Sequence, residues 1–495
     1  MSSKIPSKDI LMWTRYNWGL KCTGTGYLAP RLNSQVADCA CPFVFDSYNF
    51  CSMGCSYCFA SPAKLSNPAY TTYIRDKDGK AIGKISKYET ESPLRGVNPR
   101  AFERLISGRA KDDDLYKAFV KDRFVMHWGS LTDPFCHFER ANKVGLEVLK
   151  VIAKYKYPTL IGFKGPTIFD KEYVDFFKKQ AKHHNFAFQV SIVTADDRRA
   201  AWLEVGVPPP SKRFRAIKML SDMGYYVILR MRPYVIGVTD DTADEILERA
   251  AEAGAKAVTT EFVCFDTRHF NTPIARPRLT RVGEVMGISN IEEYFKKLSP
   301  GKRGSYLRLN WKVKEPFVKR MYKKCLEVGL VFNISDPDFK DLNMRTCCCG
   351  LPDDYPENPE MTNWSSQQQT RMVIEMRKEY WRRRKAGEKN PLVTRRFREI
   401  YCKGDRPTDY LYAGKDMLGY HIKSLNLPRG LRQSNKIIDI IEEEWNNLRS
   451  PASPYRYFFG KVLPVGTDRT GDVIYAYKPL PYEKEWIDEG IDLSK

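Results

Sequence analysis

Short apolar runs alternate with helix-spaced segments between residues 124 and 264, and this alternation constrains the fold more than any other feature. Phe124 to Gly129, Thr159 to Phe163, Phe186 to Val193, Tyr226 to Met231 and Ala257 to Cys264 read as strands. Segments 138–155, 170–183, 211–223 and 242–253 carry apolar residues at helical spacing. Ser211 is placed to N-cap the helix 211–223, and Gly224 to close it; Gly254 follows the next helix. A further short strand is expected near 43–49. Such alternation predicts an α/β fold, a parallel sheet with crossover helices. Ligands of such sheets sit at the carboxyl ends of the strands.

The second constraint is cysteine. The 13 cysteines are odd in number and tightly clustered, which argues against a disulfide framework. One cluster is Cys51-Ser-Met-Gly-Cys55-Ser-Tyr-Cys58 and the other Cys347-Cys348-Cys349. Three thiolates at C-x3-C-x2-C spacing can wrap three irons of a 4Fe-4S cube, leaving the fourth without a protein ligand. A structural zinc would want a fourth ligand, which Cys39 or Cys41 could supply. Gly54 lets the loop turn before Cys55, and Tyr57 and Phe59 flank the last thiol. Adjacent thiols point in different directions, so 347–349 reads three ways. It is an auxiliary cluster shared with Cys22, Cys39 or Cys41, a hydrogen-donor thiol, or a buried cysteine-rich turn. Cys264 and Cys325 lie in apolar runs and read as core.

The string NFCSMGCSYCFA resembles the cluster loop of the radical S-adenosylmethionine (SAM) superfamily. The resemblance implies a partial (β/α)6 barrel and one 4Fe-4S cluster on Cys51, Cys55 and Cys58. It also implies SAM chelated to the open iron, and an electron donor such as flavodoxin or ferredoxin. One electron would cleave SAM to a 5′-deoxyadenosyl radical that abstracts hydrogen from substrate. Gly129-Ser130-Leu131-Thr132-Asp133-Pro134-Phe135, Leu203-Glu204 and the following PPPSKRFRAIKMLSDMGYYVILRMRP are similar to the spore photoproduct lyase-like branch. The similarity spans roughly residues 40–270, and Glu204, Arg213 and Pro233 match residues that recur there. It implies that Gly129 and Ser130 meet the SAM amino group, and Ser191 and Thr194 its ribose. Glu204 and Arg213 would grip the SAM carboxylate and ribose, or pair with each other. Asp133 would bind substrate or cap a helix. His127 and His137 read as structural. Spore photoproduct lyase carries a hydrogen-donating cysteine where this chain has Ser130; a serine O–H bond is too strong for that task, and Cys136 is the nearby substitute.

Charge narrows the partner. Lys plus Arg exceeds Asp plus Glu by 81 to 60, a net +21, which attracts polyanions such as DNA. No run of 18 apolar residues appears, so no membrane span is expected. The N-terminus lacks an apolar signal core, so a cytoplasmic protein of a bacterial or phage-infected cell is expected. The layout reads as an N-terminal extension over 1–40, the barrel over 41–345 and a basic, mainly α region over 346–495. Segment 272–285, TPIARPRLTRVGEV, looks loop-like; 316–335 reads as helix then strand, and 350–362 as a linker. A long basic helix is expected over 371–403, with Tyr380, Trp381, Arg382, Arg383 and Arg384 for phosphate contacts and base stacking. An amphipathic helix over 434–448 and a hairpin within 455–477 follow. Chemistry on a base needs that base flipped out or single-stranded. The activity that the resemblance implies is hydrogen abstraction from a thymine-derived base in DNA. Its favoured form is isomerisation of an amino-acid-substituted thymine, as in bacteriophage thymine hypermodification. The alternatives are lyase-like repair of a thymine lesion, and a nucleic-acid-binding protein with a structural metal site.

Overall fold

The computed structural model describes residues 21–22, 25–26, 30–32, 41, 43–60, 71–75, 77–86, 94–109, 120, 123–267, 270, 275–299, 302–303, 306–362, 368–396, 446–449, 453–458 and 460–495. The chain forms two compact units. The first comprises Met1–Pro30, Val44–Glu103 and His127–Leu330, and the second Arg31–Phe43, Arg104–Met126 and Val331–Lys495.

In the first unit six strands lie side by side in chain order. They are β1 (Phe43–Phe45), β2 (Met126–Trp128), β3 (Thr159–Phe163), β4 (Phe186–Ser191), β5 (Tyr226–Tyr234) and β6 (Ala257–Phe262). The register between β3, β4, β5 and β6 is parallel throughout. Every residue of β3 and β4 is buried, as a sheet covered on both faces requires. Helices α1 (His137–Asn142), α2 (Val144–Tyr155), α3 (Lys171–Gln180), α4 (Asp197–Leu203), α5 (Pro210–Asp222) and α6 (Ala243–Glu252) fall between the strands. This is the expected α/β architecture, a strand–helix succession of the partial-barrel kind.

Three local expectations are corrected. The helix predicted over 138–155 is two helices, broken at Lys143, whose φ is +54°. The break frees the N–H groups of Gly145 and Leu146 to donate to the buried Glu139 carboxylate at 2.8 and 2.9 Å. Tyr173 donates to the same carboxylate at 2.5 Å, and Tyr48 also binds it. A buried carboxylate needs that many partners. Ser211 does not cap α5, because Pro209 is the N-cap and Pro210 opens the helix; the Ser211 hydroxyl donates to Asp197 at 2.7 Å instead. The loop expected after 271 contains α7 (Ala275–Met286). Its Pro277 lies in the first turn, where a missing N–H costs no helical bond.

Gly129 ends β2 at φ +94°. A Cβ there would stand 2.2 Å from the Gly162 carbonyl oxygen. The Gly129 N–H donates to Phe45 O at 3.0 Å, so the ends of β1, β2 and β3 converge at this point.

In the second unit Val331–Ile334 forms a strand, preceded in the first unit by helix Trp311–Val328, as the sequence predicted. The expected hairpin is Val462–Thr467 paired with Val473–Tyr477, and Thr394–Arg396 adds a third antiparallel strand. The basic helix runs over Gln368–Lys385 and stops well short of 403, with Gly387 at φ +94° in the turn that follows. The segment read as a linker is packed, with Leu351 and Met361 buried. Nearly all of the helix expected over 434–448 lies outside the described residues. Among the described residues no helix is long and apolar enough to cross a membrane.

Replacing Gly129 by Ala should destabilise the first unit by more than ~1 kcal/mol, through a left-handed φ and a backbone clash together. Urea unfolding of the two proteins measures the difference.

Candidate active site

The loop after β1 carries Cys51, Cys55 and Cys58. Its middle is pinned: Gly54–Cys55 pairs antiparallel with Glu204–Val205, and the Ser56 N–H donates to Leu203 O at 2.8 Å. The Cys58 N–H turns back onto Cys55 O at 3.1 Å. Cys55 is buried, Cys51 and Cys58 half-buried, and none of the three is in a disulfide.

Beneath the loop lies a buried charged group. Glu204 and Arg213 are each 1% exposed. Arg213 Nη2 donates to Glu204 Oε2 at 2.5 Å, and Nη1 to the Ser191 carbonyl at 2.7 Å. Lys164 Nζ reaches Glu204 Oε1 at 2.9 Å and the Tyr57 hydroxyl at 3.0 Å; that hydroxyl in turn donates to Glu204. Burial disfavours the Glu204 charge, but Arg213 and Lys164 outweigh it and hold the carboxyl down to about 2. Burial also opposes the charge on Lys164, while Cys55 and Glu204 raise its pKa. Cys55 is pushed well up by burial, and Lys164 works against that rise. Two cations against one carboxylate leave one surplus positive charge beside Cys55, which favours its thiolate once a metal displaces the proton.

The remaining predicted residues gather at neighbouring strand ends. Asp133 follows β2 and accepts N–H bonds from Phe135 at 2.9 Å and Lys164 at 2.6 Å, tying the β2 and β3 loops together. Burial pushes its carboxyl up to about 6 against those bonds. Cys136 is the fully buried N-cap of α1, and its thiol hydrogen-bonds with that of Cys51. Ser130 donates to Asp46 at 3.1 Å; Asp46 also accepts from Leu131 N at 2.9 Å and Thr132 N at 2.8 Å, fixing the turn. Thr194 accepts from Asp196 N within its own loop and bonds the Thr242 hydroxyl just before α6. His137 bonds Gly206 O at 2.8 Å, and His127 is buried in β2. Ser191 ends β4. Its hydroxyl and the Nε of Arg213 are buried polar atoms with no partner among the described residues.

The donor set fits a cluster and its ligand. Three cysteines outside any disulfide share one anchored loop beside a surplus cation, and the Ser191 hydroxyl and Arg213 Nε nearby have no partner among the described residues. Sequence reasoning missed Lys164 and Asp46. The signal for Lys164 was a cation directly after the apolar run of β3, at the sheet's ligand-bearing edge.

The aromatic half of the proposed nucleic-acid patch is corrected. Tyr380 and Trp381 are buried, with ring centroids 5.1 Å apart and Tyr380 lying 5.7 Å from Tyr477. Trp381 Nε1 donates to Glu483 at 3.2 Å. Both rings belong to the core of the second unit and have no face to offer a base. Arg382, Arg383 and Arg384 are exposed, and Arg383 pairs with Glu379.

Comparison with known proteins finds no matching family model and no matching curated protein. Among solved structures the chain is similar to spore photoproduct lyase complexed with dinucleoside spore photoproduct. The TM-score is 0.44 at 13% identity, covering 68% of this chain and 87% of that one. It is also similar to Streptococcus suis SuiB bound to S-adenosylmethionine, at TM-score 0.36 and 11% identity over 59% and 49% of the two chains. Likeness this distant does not bear on substrate or cofactor, which rest on the residues above.

Arg213→Met should destabilise the protein by about 3–5 kcal/mol, because it leaves a fully buried carboxylate short of its main partner. The depressed Glu204 carboxyl adds stability above its ordinary 4.5, and that share is lost as pH falls toward 2. Denaturant titrations across pH 2–6 should show this acid limb in the wild type and a shallower one in Glu204→Gln.

Proposed function

We propose that this chain is a radical SAM enzyme that abstracts hydrogen from a thymine-derived base in DNA. The observation that carries the reading is the Cys51-x3-Cys55-x2-Cys58 loop, anchored at the end of β1 over the Lys164–Glu204–Arg213 group. When bound, a 4Fe-4S cluster with SAM supplies a 5′-deoxyadenosyl radical. Cys51, Cys55 and Cys58 hold the cluster, and Lys164 stabilises the Cys55 thiolate. The unsatisfied Ser191 hydroxyl and Arg213 Nε bind polar groups of SAM, and Gly129 keeps the β2 turn free of a side chain. The net charge of +21 supports a polyanionic substrate. The target base must leave its stack to reach strand ends at a buried site. Flavodoxin or ferredoxin supplies the electron, in the cytoplasm of a bacterial or phage-infected cell.

Ser130 favours modification over repair. Its hydroxyl is bound to Asp46, and its O–H cannot return a hydrogen atom to a product radical. Isomerisation of an amino-acid-substituted thymine, the phage hypermodification reaction, needs only abstraction and rebound. One observation favours the second reading, repair of a thymine lesion: the Cys136 thiol stands against Cys51 and is a ready hydrogen donor.

The test is SAM cleavage by the anaerobically reconstituted protein with a strong reductant. Ordinary, ultraviolet-irradiated and thymine-hypermodified phage DNA are compared by mass spectrometry of 5′-deoxyadenosine and digested nucleosides. A changed nucleoside in hypermodified DNA, lost in Cys55→Ala and kept in Cys136→Ala, is the expected result. Turnover of irradiated DNA that stalls in Cys136→Ala would establish repair instead. A full iron complement with no 5′-deoxyadenosine under any condition would overturn both readings.

A further inference from the structure

Cys41, Cys347 and Cys349 bring their Sγ atoms within 4.8 Å of one another. Among the described residues no other set of three His, Cys, Asp or Glu ligand atoms gathers this tightly. Each of the three thiols hydrogen-bonds with the other two. None is in a disulfide, and they are 0%, 3% and 5% exposed. All three lie in the second unit, whereas Cys51, Cys55 and Cys58 lie in the first.

We propose that Cys41, Cys347 and Cys349 bind a single tetrahedral metal ion of the zinc class, separate from the cluster loop. The spacing decides between an ion and a cube. Zn–S bonds of about 2.3 Å put the corners of a tetrahedron about 3.8 Å apart, so three sulfurs already in mutual contact fit one ion. A 4Fe-4S cube gives each iron its own thiolate and spreads the sulfurs wider. The thiols of the cluster loop are not gathered in this way. On this proposal the three cysteines hold one ion and not an auxiliary cluster.

Local geometry agrees. The chain turns tightly over 347–350, which brings the Cys347 and Cys349 thiols together; Cys348 bonds the Cys349 thiol but lies outside the gathered set. Gly350, at φ +87°, closes the turn and donates its N–H to Cys347 O at 2.8 Å. The next N–H, from Leu351, is directed at the Cys347 thiol, a bond that favours a thiolate over a thiol. Three thiolates on a divalent ion leave one surplus negative charge. A cation lies in the same neighbourhood, since the charge of the buried Lys340 works against the burial-driven rise of the adjoining Cys348 thiol. The fourth corner takes a further ligand. The ion would join two points about 300 residues apart in sequence, where closing the chain is entropically costly.

The test is metal content of the full chain, expressed with zinc and iron both supplied and purified anaerobically. The Cys51→Ala/Cys55→Ala/Cys58→Ala variant removes the first site. It should lose its iron and keep one zinc per chain. Adding Cys41→Ala or Cys349→Ala should lower zinc about tenfold, while adding Cys348→Ala should leave it in place. Because a ligand variant can misfold, the cysteine-loop variant is also loaded with cobalt(II). Intense visible bands and thiolate-to-cobalt charge transfer are then expected from the folded protein. Iron at cluster stoichiometry in place of zinc would overturn the single-ion site. So would zinc indifferent to both Cys41→Ala and Cys349→Ala, or the absence of any metal and of the cobalt spectrum.

Discussion

The buried Glu204–Arg213 pair is the interaction on which the candidate site depends. A carboxylate taken out of water is expensive unless its charge is matched and its lone pairs are filled. Arg213 fills one oxygen; Lys164 and Tyr57 fill the other. Each partner comes from a different part of the first unit. Satisfying one charge therefore fixes the end of β3, the start of α5 and the cysteine loop with respect to one another. The backbone pairing of Gly54–Cys55 with Glu204–Val205 makes the same connection through the main chain.

Two further buried carboxylates act in the same way. Asp46 gathers the backbone of the turn after β2, and Glu139 joins the α1–α2 break to Tyr48 and Tyr173. In each case the acid is a hub for N–H and O–H donors that would otherwise lose water without compensation. The loops at the strand ends are thus rigid for a polar reason. Under the proposed function such rigidity would matter, because radical hydrogen abstraction depends on holding one C–H bond in line with the attacking carbon.

The sheet was legible because its strands are short, mainly apolar runs between helix-spaced segments. Thr159–Phe163 is found as read, and the other strands differ only at their ends. The cysteine loop was legible because its spacing is local. What escaped was everything set by contacts distant in sequence. Lys164 is an ordinary lysine until the fold places Tyr57 and Glu204 around it. The break at Lys143 exists because Glu139 needs donors, which no helical periodicity encodes. Tyr380 and Trp381 look like a stacking platform in a basic run, but their rings face Tyr477 and Glu483, contributed a hundred residues later. The segment 275–286 was misread because a proline in the first turn was given the weight of one in the middle.

The grouping of Cys41 with Cys347 and Cys349 also has a temporal side. A ribosome adds about 5–20 residues each second, so some 15–60 s separate the emergence of the first thiol from that of the last two. Through that interval Cys41 has neither of its companions, and the chain between them carries the six strands of the first unit. Biogenesis therefore has a set order: the barrel strands can pair while synthesis continues, whereas the tripod of sulfurs is complete only after about 300 further residues have followed Cys41. A nascent chain is accordingly exposed to oxidation or mismetallation at Cys41 throughout that interval.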